Sequence, residues 1–340
     1  MTEPLARNAT DVGEGGAVTR VLVVGSAGQL GTAMLRRMPL GGGRRIELRG
    51  VARADLDVAD EAAVMAHPAL AGVDVVVNAA AWTDVDGAET PEGEAAAHAV
   101  NAVAPGLLAR RCAREGAHLV HVSTDYVFGE GAGVDRGPVR PLRPGDPTTP
   151  DTAYGRSKLA GERAVLEVAA GAGADSGAVA TIVRTAWVYS GPTQPDAPDF
   201  VSTMLRLEER GRPDGTIDVV DDQHGNPTFV DDLADALWEL VLRPVPGVFH
   251  VTGAGRATWH ELASEVFAVV AKQRGGDAAE VAAMIEAARA RVRPCTSEQF
   301  PRPAKRPEWS VLDGSAWVAA GFAPLPEWRD GLRRALGAAE

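Results

Sequence analysis

The chain has 340 residues and is 45% hydrophobic, enough for one large domain or two modest ones around a sizeable core. Its formal charge of -12 argues against nucleic acid or an anionic membrane as a partner, because both are held mainly by basic surfaces. Two cysteines, Cys112 and Cys295, are too few for a disulfide framework and lack metal-ligand spacing, so a cytoplasmic protein without a metal site is expected.

Residues 1–19 lack the continuous apolar run of a signal peptide and read as a disordered N-terminal tail, and no later run approaches a membrane span. From Arg20 the pattern is strand, turn, helix: "RVLVVG" is an apolar run, "SAGQLG" a turn, and "TAMLRRM" begins a helix. Further buried strands are expected at Val73–Ala80, His118–Ser123 and Val179–Tyr189, each after a helical stretch. Continuous apolar strands alternating with helices predict an α/β fold, a Rossmann-type doubly wound parallel sheet covered on both faces. Breaker-rich segments lie near 39–45, 129–152, 171–178 and 191–199. The alternation loosens beyond residue 190. Residues 20–190 are therefore expected to form a dinucleotide-binding domain that carries the catalytic residues. Residues 191–340 are expected to form a smaller, discontinuous substrate-binding portion, with some segments returning to the sheet.

The turn places Gly25, Gly28 and Gly31 in a G-x-x-G-x-x-G spacing between strand and helix, with Gln29 and Leu30 between the last two. The first glycine permits the tight turn, the second lets a pyrophosphate approach the backbone, and the third permits close helix packing. At the end of the second strand, "LRGVARADLDVAD" offers Arg53 where an acid would bind a ribose 2′-hydroxyl. A guanidinium there suits a 2′-phosphate, so NADPH is favoured, with NADH also admissible. Asp57 and Val58 are expected to flank the adenine. In "NAAAWTD" the small residues after Asn78, beginning with Ala79, let the chain lie against the cofactor.

Only three of the 34 basic residues are lysines, and only three tyrosines occur, yet Tyr154 and Lys158 fall one helical turn apart in "YGRSKLAGE". Residues i and i+4 share a helix face. A phenol with a pKa near 10 exchanges protons poorly at neutral pH unless a nearby cation lowers that value. A compact ammonium does this and can also bond ribose hydroxyls, whereas the broad guanidinium fork competes for space. A third member is expected at a strand end. In "HVSTDYVFG" either Ser123 or Thr124 meets that requirement by position, offering a hydroxyl to a reacting carbonyl oxygen.

Together with "VRTAWVYS", "DDQHGNPTFVDDLADAL", "FHVTGAGRATWHELA" and "RPEWSVLD", these stretches resemble the dTDP-4-dehydrorhamnose reductase family of the extended short-chain dehydrogenase/reductases. The resemblance runs from Arg20 to about Leu336. It implies NADPH-dependent reduction of the C4 keto group of a dTDP-4-keto-6-deoxyhexose, with Thr124 as the hydroxyl, Tyr154 as proton donor and Lys158 as its electrostatic partner. It further implies Ala81, Trp82 and Thr83 at the cofactor and Val85, Asp125, Tyr126 and Trp187 around the sugar. Segments 222–228 and 306–313 would contact the nucleotide end or frame the pocket. Ala33 stands where some members carry a glutamate of a metal-linked dimer, so a monomer or weak homodimer is implied. The resemblance leaves two alternatives open: a sister reductase of the dihydrostreptose type, and a non-catalytic homologue like the regulatory subunit of methionine adenosyltransferase.

Overall fold

The computed structural model describes residues 18–39, 45–130, 139–171, 180–210 and 215–338. Most of the N-terminal head and parts of the segments at 39–45, 129–152 and 171–178 therefore lie outside the described residues. The first half alternates as β1 (Val18–Val24), α1 (Gln29–Arg36), β2 (Arg45–Val51), α2 (Glu61–Ala66), β3 (Val75–Asn78), α3 (Pro91–His98), α4 (Ala104–Glu115), β4 (His118–Thr124), α5 (Ala153–Gly171) and β5 (Ala180–Thr185). A sixth strand, Gly247–His250, comes from much later in the chain. The order across the sheet is Gly247–His250, β5, β4, β3, β1, β2, and every neighbouring pair is parallel. The Rossmann-type doubly wound fold expected from the sequence is thus the fold observed.

Two differences from the expected strands are local. β1 takes in Val18 and Thr19, assigned to the tail from the sequence, because they pair with Arg45 and Ile46 of β2. The apolar run 179–189 is not one strand. It ends in the central sheet at Thr185 and resumes as Val188–Tyr189, paired with Thr228–Phe229. Between them Trp187 has a left-handed φ of 47°.

The two faces of the sheet follow from the two-residue period of a strand. Val21 and Val23 of β1 join a core with Ala33, Met34, Leu233 and Leu237, so α1 and the helix Val230–Leu242 cover one face. Leu22 and Val24 join another with Val64, Leu107, Leu108 and Val165, from α2, α4 and α5. Trp238 of the later helix donates its indole N–H to the Met34 carbonyl at 3.0 Å, fastening it to α1. The glycine turn lies where β2 departs to one side of β1 and β3 to the other, the crevice in which open α/β sheets bind ligands.

One buried ion pair ties α5 to β5 of the central sheet. Glu162 on α5 accepts from Arg184 of β5 at 2.9 and 2.7 Å, with side chains 2% and 5% exposed. Arg184 also donates to the Pro144 carbonyl at 3.1 Å, which anchors the proline-rich linker. Removing one partner of such a pair leaves an uncompensated buried charge. Glu162→Ala should therefore lower unfolding stability by about 3–5 kcal/mol. Urea denaturation reads this, and a loss below 1 kcal/mol would mean that water or another group replaces the carboxylate.

Candidate active site

The glycine turn is fixed by backbone crowding at two of its three glycines. Gly25 has φ of +82°, and a Cβ there would lie 2.6 Å from the Ala80 nitrogen. A Cβ on Gly31 would lie 2.2 Å from the Gly25 carbonyl oxygen. Gly28 differs, since its φ is -78° and a Cβ would meet only the Gly25 oxygen, at 3.3 Å. The protein itself thus makes little demand for glycine at 28, whereas a group lying on this turn would. Gly28 is also the N-cap of α1, and no side chain caps that helix. A helix start without a capping side chain presents amide N–H groups and the positive end of the helix dipole, which suits a pyrophosphate.

The other residues expected at the cofactor are spread along the same edge of the sheet. Ala79 follows β3 and donates its N–H to Val24 at 2.9 Å. Ala81 and Trp82 are half-buried and Thr83 is exposed. Arg53, just beyond β2, is exposed and has no ion-pair partner among the described residues. Asp57 turns back to accept from the Ala59 N–H at 3.0 Å, and Val58 is buried in the core beneath. Leu30 packs partly buried against the α1-side core. Gln29 is engaged elsewhere, with its amide donating to Ser190 Oγ at 2.9 Å and Asp199 Oδ2 at 3.0 Å. Its side chain therefore braces the turn against the later half of the chain.

The groups expected to react meet where β4 ends and α5 begins. Thr124, the last residue of β4, is buried and donates to Asp125 Oδ1 at 2.9 Å while accepting from the Tyr126 N–H at 3.2 Å. Tyr154 lies in the first turn of α5, edge-on to Tyr126 with ring centroids 5.5 Å apart. Trp82, Val85 and Tyr126 pack around it with Ala88, Ala97 and Ala153. One turn on, Lys158 is 2% exposed, and its ammonium donates to the Val122 carbonyl of β4 at 2.7 Å. Of the residues expected around the sugar, Trp187 packs in a neighbouring cluster that includes Val127, Phe128 and Leu159, next in the chain to Tyr126 and Lys158, together with Leu142 and Leu312.

Asn101 had no expected role. The chain from Ala99 to Val103 widens into a π-helical turn between α3 and α4, a feature frequent at functional sites. Asn101 there accepts from the Trp82 N–H at 2.9 Å and donates to the Trp82 carbonyl and to Ser157 Oγ, both at 3.0 Å. Ser157 in turn donates to the Tyr154 carbonyl at 2.7 Å. One amide thereby locks the cofactor-side loop to the helix that carries Tyr154. The available signal was a lone polar residue in an otherwise apolar helical run.

Electrostatics differ from the sequence-based expectation. Burial pushes the Tyr154 phenol up to about 12, with hydrogen bonding to Thr124 pulling against it and the Asp125 carboxylate adding to the rise. Burial also brings the Lys158 ammonium down to about 8, opposed by the Glu162 carboxylate. Lys158 therefore does not make the phenol acidic in the protein alone, because the loss of water around both groups dominates. Asp125 is likewise pushed up, to about 6, by burial. The three groups are buried together, and burial makes the phenol a weaker acid than it is in water.

This carries a stability cost with a defined sign. An ammonium moved from 10.5 to about 8 binds fewer protons folded than unfolded between those values, so the penalty grows as pH falls from 10.5 and is complete below about 8. It amounts to about 3 kcal/mol. Lys158→Met should raise the thermal midpoint at pH 7 by a few degrees, with the gain shrinking as pH rises from 8 toward 10.5. Calorimetry of both proteins across that range checks it, and a midpoint unchanged or lowered at pH 7 counts against it.

Residues 19–340 match the family model described as the RmlD substrate binding domain. A dTDP-4-dehydrorhamnose reductase of Mycobacterium tuberculosis is 43% identical over 325 residues, covering 95% of this chain and 94% of that protein. A probable dTDP-4,6-dihydroxy-2-methyloxan-3-one 4-ketoreductase of Streptomyces antibioticus is 41% identical, covering 93% and 94%. Among solved structures, a dTDP-4-dehydrorhamnose reductase of Bacillus anthracis in complex with NADP superposes with a TM-score of 0.76 at 28% identity, covering 94% of this chain and 98% of that one. Matched over nearly its whole length by sequence and by fold, the chain belongs to the dTDP-4-dehydrorhamnose reductase family.

Proposed function

We propose that the protein is an NADPH-dependent reductase of the C4 keto group of a dTDP-4-keto-6-deoxyhexose, dTDP-4-dehydro-L-rhamnose giving dTDP-L-rhamnose. The observation that carries this is the buried cluster of Thr124, Tyr154 and Lys158 where β4 ends and α5 begins, in a fold whose glycine turn suits a pyrophosphate. The Bacillus anthracis relative was solved with NADP, and the exposed guanidinium of Arg53 beyond β2 supports the phosphorylated cofactor. Two unpaired cysteines suit a reducing compartment, and with it a place in the cytoplasm. Among the described residues no helix is long and apolar enough to cross a membrane.

NADPH supplies the hydride that reduces the sugar carbon. Each protein group then has a separate task. Thr124 offers its hydroxyl to the reacting oxygen at the end of β4. Tyr154, protonated at neutral pH like any phenol and made a weaker acid by burial, gives its proton to the oxygen as negative charge develops there. Lys158, tethered to β4 through Val122, stands behind the phenol as a cation that offsets the phenolate left behind. Asn101 keeps the Trp82 loop in register with Tyr154 throughout.

A second reading, reduction of a related dTDP-keto sugar in specialised metabolism, is favoured by the likeness to the Streptomyces antibioticus ketoreductase. Purified protein, NADPH and a panel of dTDP-4-keto sugars, with products assigned by NMR, separate the two. Loss of nicotinamide absorbance with none of them would overturn both and favour a binding homologue. Tyr154→Phe should lower kcat by roughly 10²–10⁴-fold with NADPH affinity largely kept. Arg53→Ala should raise the KM for NADPH by roughly tenfold while leaving that for NADH unchanged, the loss of one charge-assisted phosphate contact.

A further inference from the structure

Trp187 is the only non-glycine among the described residues with a left-handed φ, 47°. A large side chain in that conformation persists only where its surroundings over-determine it. Three contacts do so here. Its carbonyl accepts from the Thr228 N–H at 3.1 Å. Its indole lies flat on that of Trp259, with ring centroids 3.6 Å apart and planes 7° from parallel. Gly225 supplies the remaining room, since a Cβ there would come within 2.4 Å of Cε2 of the Trp187 ring.

Trp259 is itself held rigidly. It opens the helix Trp259–Gln273, whose start is fixed by a reciprocal cap between Thr258 and Glu261. Its indole N–H donates to Gln223 Oε1 at 3.1 Å, and Phe200 packs against it at 4.7 Å. Gln223 also donates to Ser297 Oγ at 2.8 Å, and Ser297 bonds Asp222 through its N–H at 2.8 Å and its hydroxyl at 2.6 Å. Asp221 accepts from the Thr258 hydroxyl at 2.5 Å. Asp221, Asp222, Gln223 and Gly225 of the "DDQHGNPT" segment thus all serve the same ring stack.

We infer that Trp259 is a positioning residue for the keto-sugar: it sets the indole of Trp187 against the sugar, and the 221–228 segment acts on substrate binding through this stack. The inference rests on the reading above that Trp187 borders the sugar. Trp259 acts only through Trp187 and takes no part in proton or hydride transfer. Disturbing it therefore weakens sugar binding and leaves the chemical step alone. Gly225→Ala perturbs the same ring from a different element, without removing either tryptophan.

The test uses the full-length protein with three probes: NADPH, dTDP and dTDP-L-rhamnose, whose affinity relative to dTDP isolates the sugar. Trp187→Ala is the reference. Trp259→Leu and Gly225→Ala are each expected to cut the preference for dTDP-L-rhamnose over dTDP and raise the keto-sugar KM by roughly tenfold or more, with kcat within about threefold and NADPH affinity unchanged. Trp259→Phe, which restores a flat ring, is expected to recover most of the loss. If Trp187→Ala changes neither sugar preference nor KM, the placement of Trp187 at the sugar is wrong and the inference falls with it. If Trp187→Ala weakens sugar binding while a folded Trp259→Leu protein does not, the inference alone is overturned. Parallel loss of NADPH affinity, kcat and thermal stability in Trp259→Leu and Gly225→Ala also overturns it, because the stack is then ordinary core.

Discussion

The first two turns of α5 hold a phenol and an ammonium out of water, and much of the surrounding architecture answers to that burial. To bury them, the helix backbone must approach its neighbours more closely than side chains allow. A Cβ on Gly155 would lie 2.2 Å from the Tyr126 carbonyl oxygen, and one on Gly161 would lie 2.0 Å from that of Asn101. The helix start is also capped from a distance, Glu89 accepting from the Ala153 N–H at 2.8 Å. A charged amine in this setting destabilises the folded chain. Selection for reactivity rather than stability is the economical account of its presence.

The later half of the chain also completes and covers the sheet. The strand Gly247–His250 extends the central sheet beside β5, and the helix Val230–Leu242 covers α1. Arg306 clasps Asp86 at 2.6 and 3.0 Å, joining the C-terminal segment to the loop that bears Val85. Leu142 pairs with Leu312, so the proline-rich linker rests on the same C-terminal segment. The site is thus closed by contacts between residues more than two hundred positions apart as well as by local turns.

Much of this was legible in the sequence. The sheet declared itself because a strand buried on both faces must be continuously apolar, as Leu22 to Val24 and Val75 to Val77 are. The glycine turn was legible because backbone crowding at Gly25 and Gly31 leaves no other residue type. That Tyr154 and Lys158 share a buried helix face was legible from their i, i+4 spacing, whereas position alone did not separate Thr124 from Ser123, and both are buried at the end of β4. Other features depended on tertiary surroundings that no local pattern encodes. An apolar run does not announce that Trp187 reverses its φ, since the cause lies at Gly225 and Trp259. The capture of Gln29 by Ser190 and Asp199 joins positions far apart in the chain. The direction of the Tyr154 shift was misjudged because counting nearby charges ignores how completely water is excluded.

The π-helical turn at Ala99–Val103 has a consequence for how this chain can vary. Relative to a regular helix it accommodates one surplus residue, so α4 emerges rotated by about 100° from an uninterrupted continuation of α3. Leu107, Leu108 and Cys112 face the core only because of that offset. Straightening the turn at its present length would carry those side chains around toward solvent, whereas deleting one of its residues other than Asn101 would let it close to a regular helix with them still on the core. The surplus residue is therefore not needed for the register of α4; what it provides is the widened turn in which Asn101 reaches both Trp82 and Ser157.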